Sequence, residues 1–154
     1  MSGITVSFNP EPKTDQGASL IWRLLLAAIF SVVAVGASAV GWGVLAYFTG
    51  KVYFIIAILI GMIITFAITY PFERVSLPLA AILFFPAAFL TIFTVVVGDA
   101  IFYLLTGMFE YNLEVMDAIL AITSQPLDFL QESLGSVVLA AIGTILGFVN
   151  AIRR

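Results

Sequence analysis

The chain contains no cysteine and no histidine. The first absence excludes disulfides, thiolate metal sites and a cysteine nucleophile. The second excludes a histidine general base and any imidazole ligand to zinc or haem. These two residues make most catalytic and metal sites, so the expectation is a protein that is not an enzyme and carries no metal or cofactor, with carboxylate-only chemistry left open. Charge is also scarce. Only 10% of the 154 residues are Asp, Glu, Lys or Arg, against about 25% in ordinary soluble domains. Six Lys and Arg scattered along the chain form no basic patch, so nucleic acid is not an expected partner. Neither a phosphate-binding glycine loop nor a serine nucleophile elbow is present.

What the chain has in abundance is apolar sequence. Hydrophobic residues make up 62% and the mean hydropathy is +1.18, whereas soluble domains average about 45–50% apolar. So little polar surface cannot cover a water-soluble fold of this size, and a lipid bilayer removes the need. The organising stretch is 34–70, two apolar runs joined by the short polar break Phe48, Thr49, Gly50, Lys51. A break that short forces the runs to lie side by side, as a transmembrane helical hairpin.

Taken in order, residues 1–19 are polar, carry Pro10, Pro12 and Gly17, and are expected as a flexible tail. Ile4, Val6 and Phe8 would form a strand only if a partner supplied an edge. A secretory signal is not expected here, because the first apolar run is too long for one and no small-residue cleavage site ends it convincingly. Four spans are expected, at about 24–48, 52–70, 77–98 and 134–152, since about 20 apolar residues cross a bilayer. Pro78 suits the first turn of the third span, and Pro86 inside it should kink the helix. Residues 109–132 form an acidic connection with Glu110, Glu114, Asp117, Asp128 and Glu132. Within it, 113–122 reads as a short interfacial helix capped by Asn112. Pro126 starts the helix that leads into the fourth span. The fold class is therefore all-α: an integral membrane four-helix bundle with an amphipathic interfacial helix between spans 3 and 4.

The basic residues predict orientation. With four spans, Lys13, Arg23, Arg74, Arg153 and Arg154 share one side and Lys51 stands alone on the other. Loops retained in the cytoplasm are enriched in Lys and Arg, so both termini are expected there and the acidic connection outside.

Small residues at four-residue spacing let helix backbones approach closely. In the first span Ala37 and Gly41, and Ala39 and Gly43, stand at that spacing, and Gly36 adds to the notched half. In the second, Ala57, Gly61, Thr65 and Thr69 form one stripe, expected to pack on the first span near Ala37 and Gly41. In the fourth, Gly143 and Gly147 form another row. Asp99 is the one carboxylate that a span could bury. It could form an ion or proton site with Thr91 and Thr94. A solvated carboxylate at the end of the third span is the expected alternative, because a mid-bilayer carboxylate costs about 2.5–3.5 kcal/mol. Glu110, Glu114 and Asp117 could hold a divalent cation, although their spacing matches no calcium loop and a solvated face accounts for them. Trp22, Tyr47, Tyr53, Tyr70 and Tyr111 are placed as an interfacial aromatic belt.

Gly36, Trp42, Ala46, Tyr47, Thr49, Gly50 and Gly61 carry a resemblance. The hairpin over 34–64 looks like that of a group of small uncharacterised bacterial membrane proteins, in which a Gly/Ala-rich helix ends in a Tyr-x-Thr-Gly turn and is followed by a helix bearing Ile-Gly. Some of that group carry an N-terminal zinc ribbon, which a chain without cysteine lacks. The resemblance implies a bacterial inner-membrane protein and transfers no catalytic residue. The functional expectation is a small subunit or scaffold in a membrane assembly, with the lipid bilayer and a membrane-protein partner or a second copy as its contacts. A small transporter or channel with a path near Asp99 is the alternative.

Overall fold

In the computed structural model, five helices account for nearly all of the described chain, which comprises residues 15–49, 54–124 and 126–153, without the side chains of 15–18, 54, 126–130 and 132. They are α1 (Asp15–Thr49), α2 (Phe54–Thr69), α3 (Leu77–Glu110), α4 (Val115–Ser124) and α5 (Pro126–Arg153). Three stretches, Ser19–Thr49, Leu77–Glu110 and Ser133–Arg153, are long and apolar enough to cross a membrane. The 16 residues of α2 span about 24 Å at 1.5 Å per residue, short of a hydrocarbon layer of roughly 30 Å. The proposed strand at Ile4, Val6 and Phe8, the turn at Gly50 and Lys51, and the charges of Lys13 and Arg154 lie outside the described residues.

Helix boundaries follow local chemistry, with some departures from expectation. α1 starts at Asp15, inside the segment expected as a tail. α3 starts at Leu77 with Pro78 in its first turn and runs unbroken through Pro86. It continues to Glu110, far beyond the end expected near residue 98, because nothing after Gly98 breaks the apolar run. Asn112, expected to cap α4, instead adopts a left-handed backbone (φ 54°) in the turn that ends α3. Asn tolerates that conformation better than most residues. The Leu113 N–H then donates to the Gly107 carbonyl at 3.1 Å and closes the helix end. α5 is continuous from Pro126.

The contacts define an antiparallel arrangement. Phe30 of α1 meets Tyr70 at the end of α2 edge-to-face, and Arg23 pairs with Glu73 in the α2–α3 turn at 2.8 Å. Tyr47 of α1 contacts Phe109 of α3 at the opposite end. Phe84 and Thr91 of α3 meet Phe148 and Thr144 of α5. Thus α1 and α3 run one way, and α2 and α5 the other. The start of α1, the α2–α3 turn and the end of α5 gather at one end of the bundle. α4 lies at the other, its Ala118 packed on Gly107.

The stripe Ala57, Gly61, Thr65 and Thr69 is buried, but its partner is not the one expected. α2 packs most extensively on α5, and α1 on α3. A Cβ on Gly61 would fall on the Ala140 carbonyl, and one on Gly143 would fall on the Ile58 carbonyl. Two backbones touch there, which only reciprocal glycines permit. Gly147 lies against the Thr65 side chain, and Gly43 against Gly98 and Ile101. Gly36 and Gly41 have nothing within 4 Å of the position of a Cβ. Together with exposed Ala37 they lie on the outer face of α1.

Candidate functional site

The exterior is strongly apolar, and the interior mixes apolar side chains with hydroxyl groups. Ser31, Thr65, Thr69, Thr91, Thr94, Ser133, Ser136 and Thr144 are buried, while many large apolar side chains, such as Phe85 at 76% exposure, face outward. Soluble domains bury Leu, Ile, Val and Phe and expose polar groups. Beside apolar side chains such as Ile64, Leu83, Val95 and Phe148, the interior holds small and hydroxyl-bearing residues, which let helices pack closely, and several of the hydroxyls bond within their own helix. Ser31 donates to Ala27, Thr65 to Gly61, Thr69 to Thr65 and Thr94 to Leu90, each to the carbonyl four residues back. Thr144 also reaches across from α5 to the Thr91 hydroxyl at 3.1 Å.

Asp99 lies within this interior, 7% exposed. It is neither solvated nor at a helix end, since α3 continues for three more turns; the solvated-carboxylate expectation is therefore corrected. The Trp42 indole N–H of α1 donates to Asp99 Oδ1 at 2.6 Å. This bond is set by tight packing around it: Gly98 lies directly under the Trp42 ring and beside the Ala39 carbonyl, where a side chain would collide. Ser133, near the start of the apolar part of α5, faces the Asp99 carboxyl. Its Oγ is buried and makes no well-formed hydrogen bond. Ser136, one turn on, is buried as well.

The expected partners of Asp99 are elsewhere. Thr94 and Thr91 precede it by about 7.5 and 12 Å of helix rise. Thr94 is bonded to its own helix and Thr91 to Thr144. The group the structure assembles is Trp42, Asp99 and Ser133, one residue from each of three helices. Sequence reasoning gave Trp42 no partner and passed over Ser133. One signal was available: the sole indole and the sole carboxylate within apolar runs are complementary, because a buried Trp N–H needs an acceptor. Ser133 carried no such signal, since its relevance depends on how α5 is rotated.

Glu110, Glu114 and Asp117 are all exposed. Among the described residues, no three acidic side chains converge to hold a metal ion. On the outside, Leu59, Met62, Ile63, Phe66, Thr69, Gly147, Asn150 and Ala151 line a half-open apolar groove between α2 and α5.

No family model, curated protein or solved structure matches the chain.

Proposed function

We propose that the protein is a multi-pass inner-membrane protein with four spans, α1, α2, α3 and α5, which acts without catalysis as a small subunit or scaffold in a membrane assembly. The apolar exterior and the hydroxyl groups of the interior support membrane residence. The close α2–α5 crossing supports counting the short α2 as a span. On this reading α4 lies at the membrane surface: Val115, Met116, Ile119 and Leu120 are exposed together, and an amphipathic segment can bury such a face at the headgroup boundary.

The observation that carries the interaction reading is the outer face of α1. Gly36, Ala37 and Gly41 form a small-residue notch that none of the other described helices fills. Such notches are where membrane helices of separate chains come into close contact. The occupant we assign is a transmembrane helix of a larger partner. Extraction of native membranes in mild detergent, followed by affinity capture of the tagged chain, should recover a reproducible set of larger membrane proteins. Gly41→Leu should lose them while leaving the isolated chain folded. Recovery of a homo-oligomer alone, or a partner set unchanged by Gly41→Leu, would count against this assignment.

A second reading, a small transporter or channel, is favoured by one observation, the burial of Asp99 among three helices. Reconstituted protein that conducts protons or cations, and loses that flux in Asp99→Asn, would replace the scaffold reading.

A further inference from the structure

We propose that the groove between α2 and α5 binds one anionic phospholipid, with an acyl chain along the groove and the headgroup at Asn150 and Arg153. The inference rests on the membrane reading above and goes beyond the interaction reading. The groove is a half-open recess of about 310 Å³. Leu59, Met62, Ile63 and Phe66 of α2 line one side, and Gly147 and Ala151 of α5, being small, leave the room opposite. From Leu59 to Thr69 the α2 side runs about 15 Å at 1.5 Å per residue. That is the depth of one leaflet, half of a hydrocarbon layer roughly 30 Å thick.

Polarity is distributed along the groove as it is along a lipid. The lining is apolar from Leu59 to Phe66 and turns polar at Thr69 and Asn150. These two residues belong to the end of the bundle where α2 and α5 both finish. Arg153 follows Asn150 by about 4.5 Å of helix rise, a spacing that makes them neighbours on one face of α5, and both are exposed. Among the described residues, Arg23 is paired with Glu73, whereas Arg153 is in no ion pair, so its charge is open to a ligand. The Thr69 hydroxyl already donates to the Thr65 carbonyl at 2.8 Å. Asn150 and Arg153 are therefore the groups at this end placed to donate to a phosphate. Basic residues beside a groove between membrane helices recruit anionic headgroups. A zwitterionic lipid brings its own cation to the headgroup, and an anionic lipid leaves that place to Arg153. An apolar helix of another chain would fill the same groove and leave Arg153 without a counter-ion.

The test uses the full chain purified in a neutral detergent. Leu59→Trp, at the deep end of the groove, is made in a Trp22→Phe background. The one other tryptophan is then Trp42, which is buried and sheltered from a quencher in lipid. Phosphatidylglycerol and phosphatidylcholine with the same brominated acyl chains are titrated into the micelles, where bromine quenches a tryptophan that it touches. We expect quenching by phosphatidylglycerol to saturate at a several-fold lower mole fraction. Arg153→Gln should abolish that difference while both lipids still quench, because the groove is intact. Inorganic phosphate should not compete, since the acyl chain is bound as well as the headgroup. Equal quenching by the two lipids would mark ordinary boundary lipid and overturn the proposal. So would a preference that survives Arg153→Gln, displacement by phosphate, or quenching by neither lipid, as when a second copy covers the groove. If Leu59→Trp does not fold, thermal unfolding of the parent carries the test. A ligand that binds only the folded state raises the melting temperature, so phosphatidylglycerol should raise it more than phosphatidylcholine in the parent and equally in Arg153→Gln; equal rises in the parent overturn the proposal. Failure here leaves membrane residence and partner capture untouched, since thiol labelling of intact cells and native-membrane extraction measure those separately.

Discussion

The Trp42–Asp99 bond is a single side-chain contact that joins two helices 57 positions apart in the chain. Its importance comes from what would remain without it. A buried acceptor stripped of its donor loses about 1–3 kcal/mol, so Trp42→Phe should destabilise the protein by that order, whereas Trp22→Phe, at an exposed position, should be nearly neutral. Chemical denaturation in mixed micelles would compare the two, and equal effects would refute the assigned role of the indole. The Thr91–Thr144 contact is of a different kind. Thr144 also donates toward the Ala140 carbonyl at 3.1 Å, so the cross-helix bond is shared with an internal one. Interhelical hydrogen bonds in membranes average about 0.6 kcal/mol, and Thr144→Val should cost no more than about 1 kcal/mol in the same assay. The two polar contacts thus differ in kind, because the Thr144 hydroxyl also bonds within its own helix, whereas the Trp42 indole joins a buried carboxylate on another helix.

At the scale of helices, the decisive feature is the crossing of α2 and α5. Gly61 and Gly143 are reciprocal there: each accepts the other helix's backbone. A leucine at either position cannot be accommodated by rotating a side chain, because what it meets is backbone. Gly61→Leu should separate the helices and lower the melting temperature sharply or prevent accumulation, while Gly36→Leu, on an open face, should be tolerated by the isolated chain. An equal tolerance of both would mean that α2 and α5 do not cross at Gly61. This crossing also marks how far the sequence could be read. Apolar run length and the Pro and Gly breaks disclosed the helices, and four-residue spacing picked out Gly61, Gly143 and Gly147 as small-residue positions. The pairing was not legible. Small-residue stripes on α1, α2 and α5 all have the same spacing, and chain adjacency favoured α1 with α2. The preference for α5 depends on backbone complementarity, with a glycine opposite a carbonyl on each side, and periodicity does not encode that. Asp99 was misread for the same reason. A carboxylate after Gly98 resembles a helix end until Trp42 is seen to lie against it.

For the whole molecule, the arrangement of helices converts a scattered set of charges into a polar axis. Arg23, Arg74 and Arg153 belong to the end formed by the start of α1, the α2–α3 turn and the end of α5. Glu110, Glu114 and Asp117 belong to the other end, around α4. The Arg23–Glu73 ion pair is exposed on its acidic side, so it contributes only about 0–1 kcal/mol. Its value is as a marker that the first helix and the α2–α3 turn share an end. Positively charged loops are retained in the cytoplasm during insertion, so the basic end should face inward and α4 outward. The absence of native cysteine allows a direct test. Ser76→Cys reports on the basic end, in the exposed turn before α3, and Asn112→Cys on the acidic end, in the turn before α4. On intact cells freed of any outer barrier, a membrane-impermeant thiol reagent should label the cysteine at position 112 and spare that at position 76. After the membrane is opened, both should label. The opposite pattern on intact cells would invert the protein. Labelling of both on intact cells would mean that the two ends do not lie on opposite sides of a membrane, and the four-span reading would fall with the orientation.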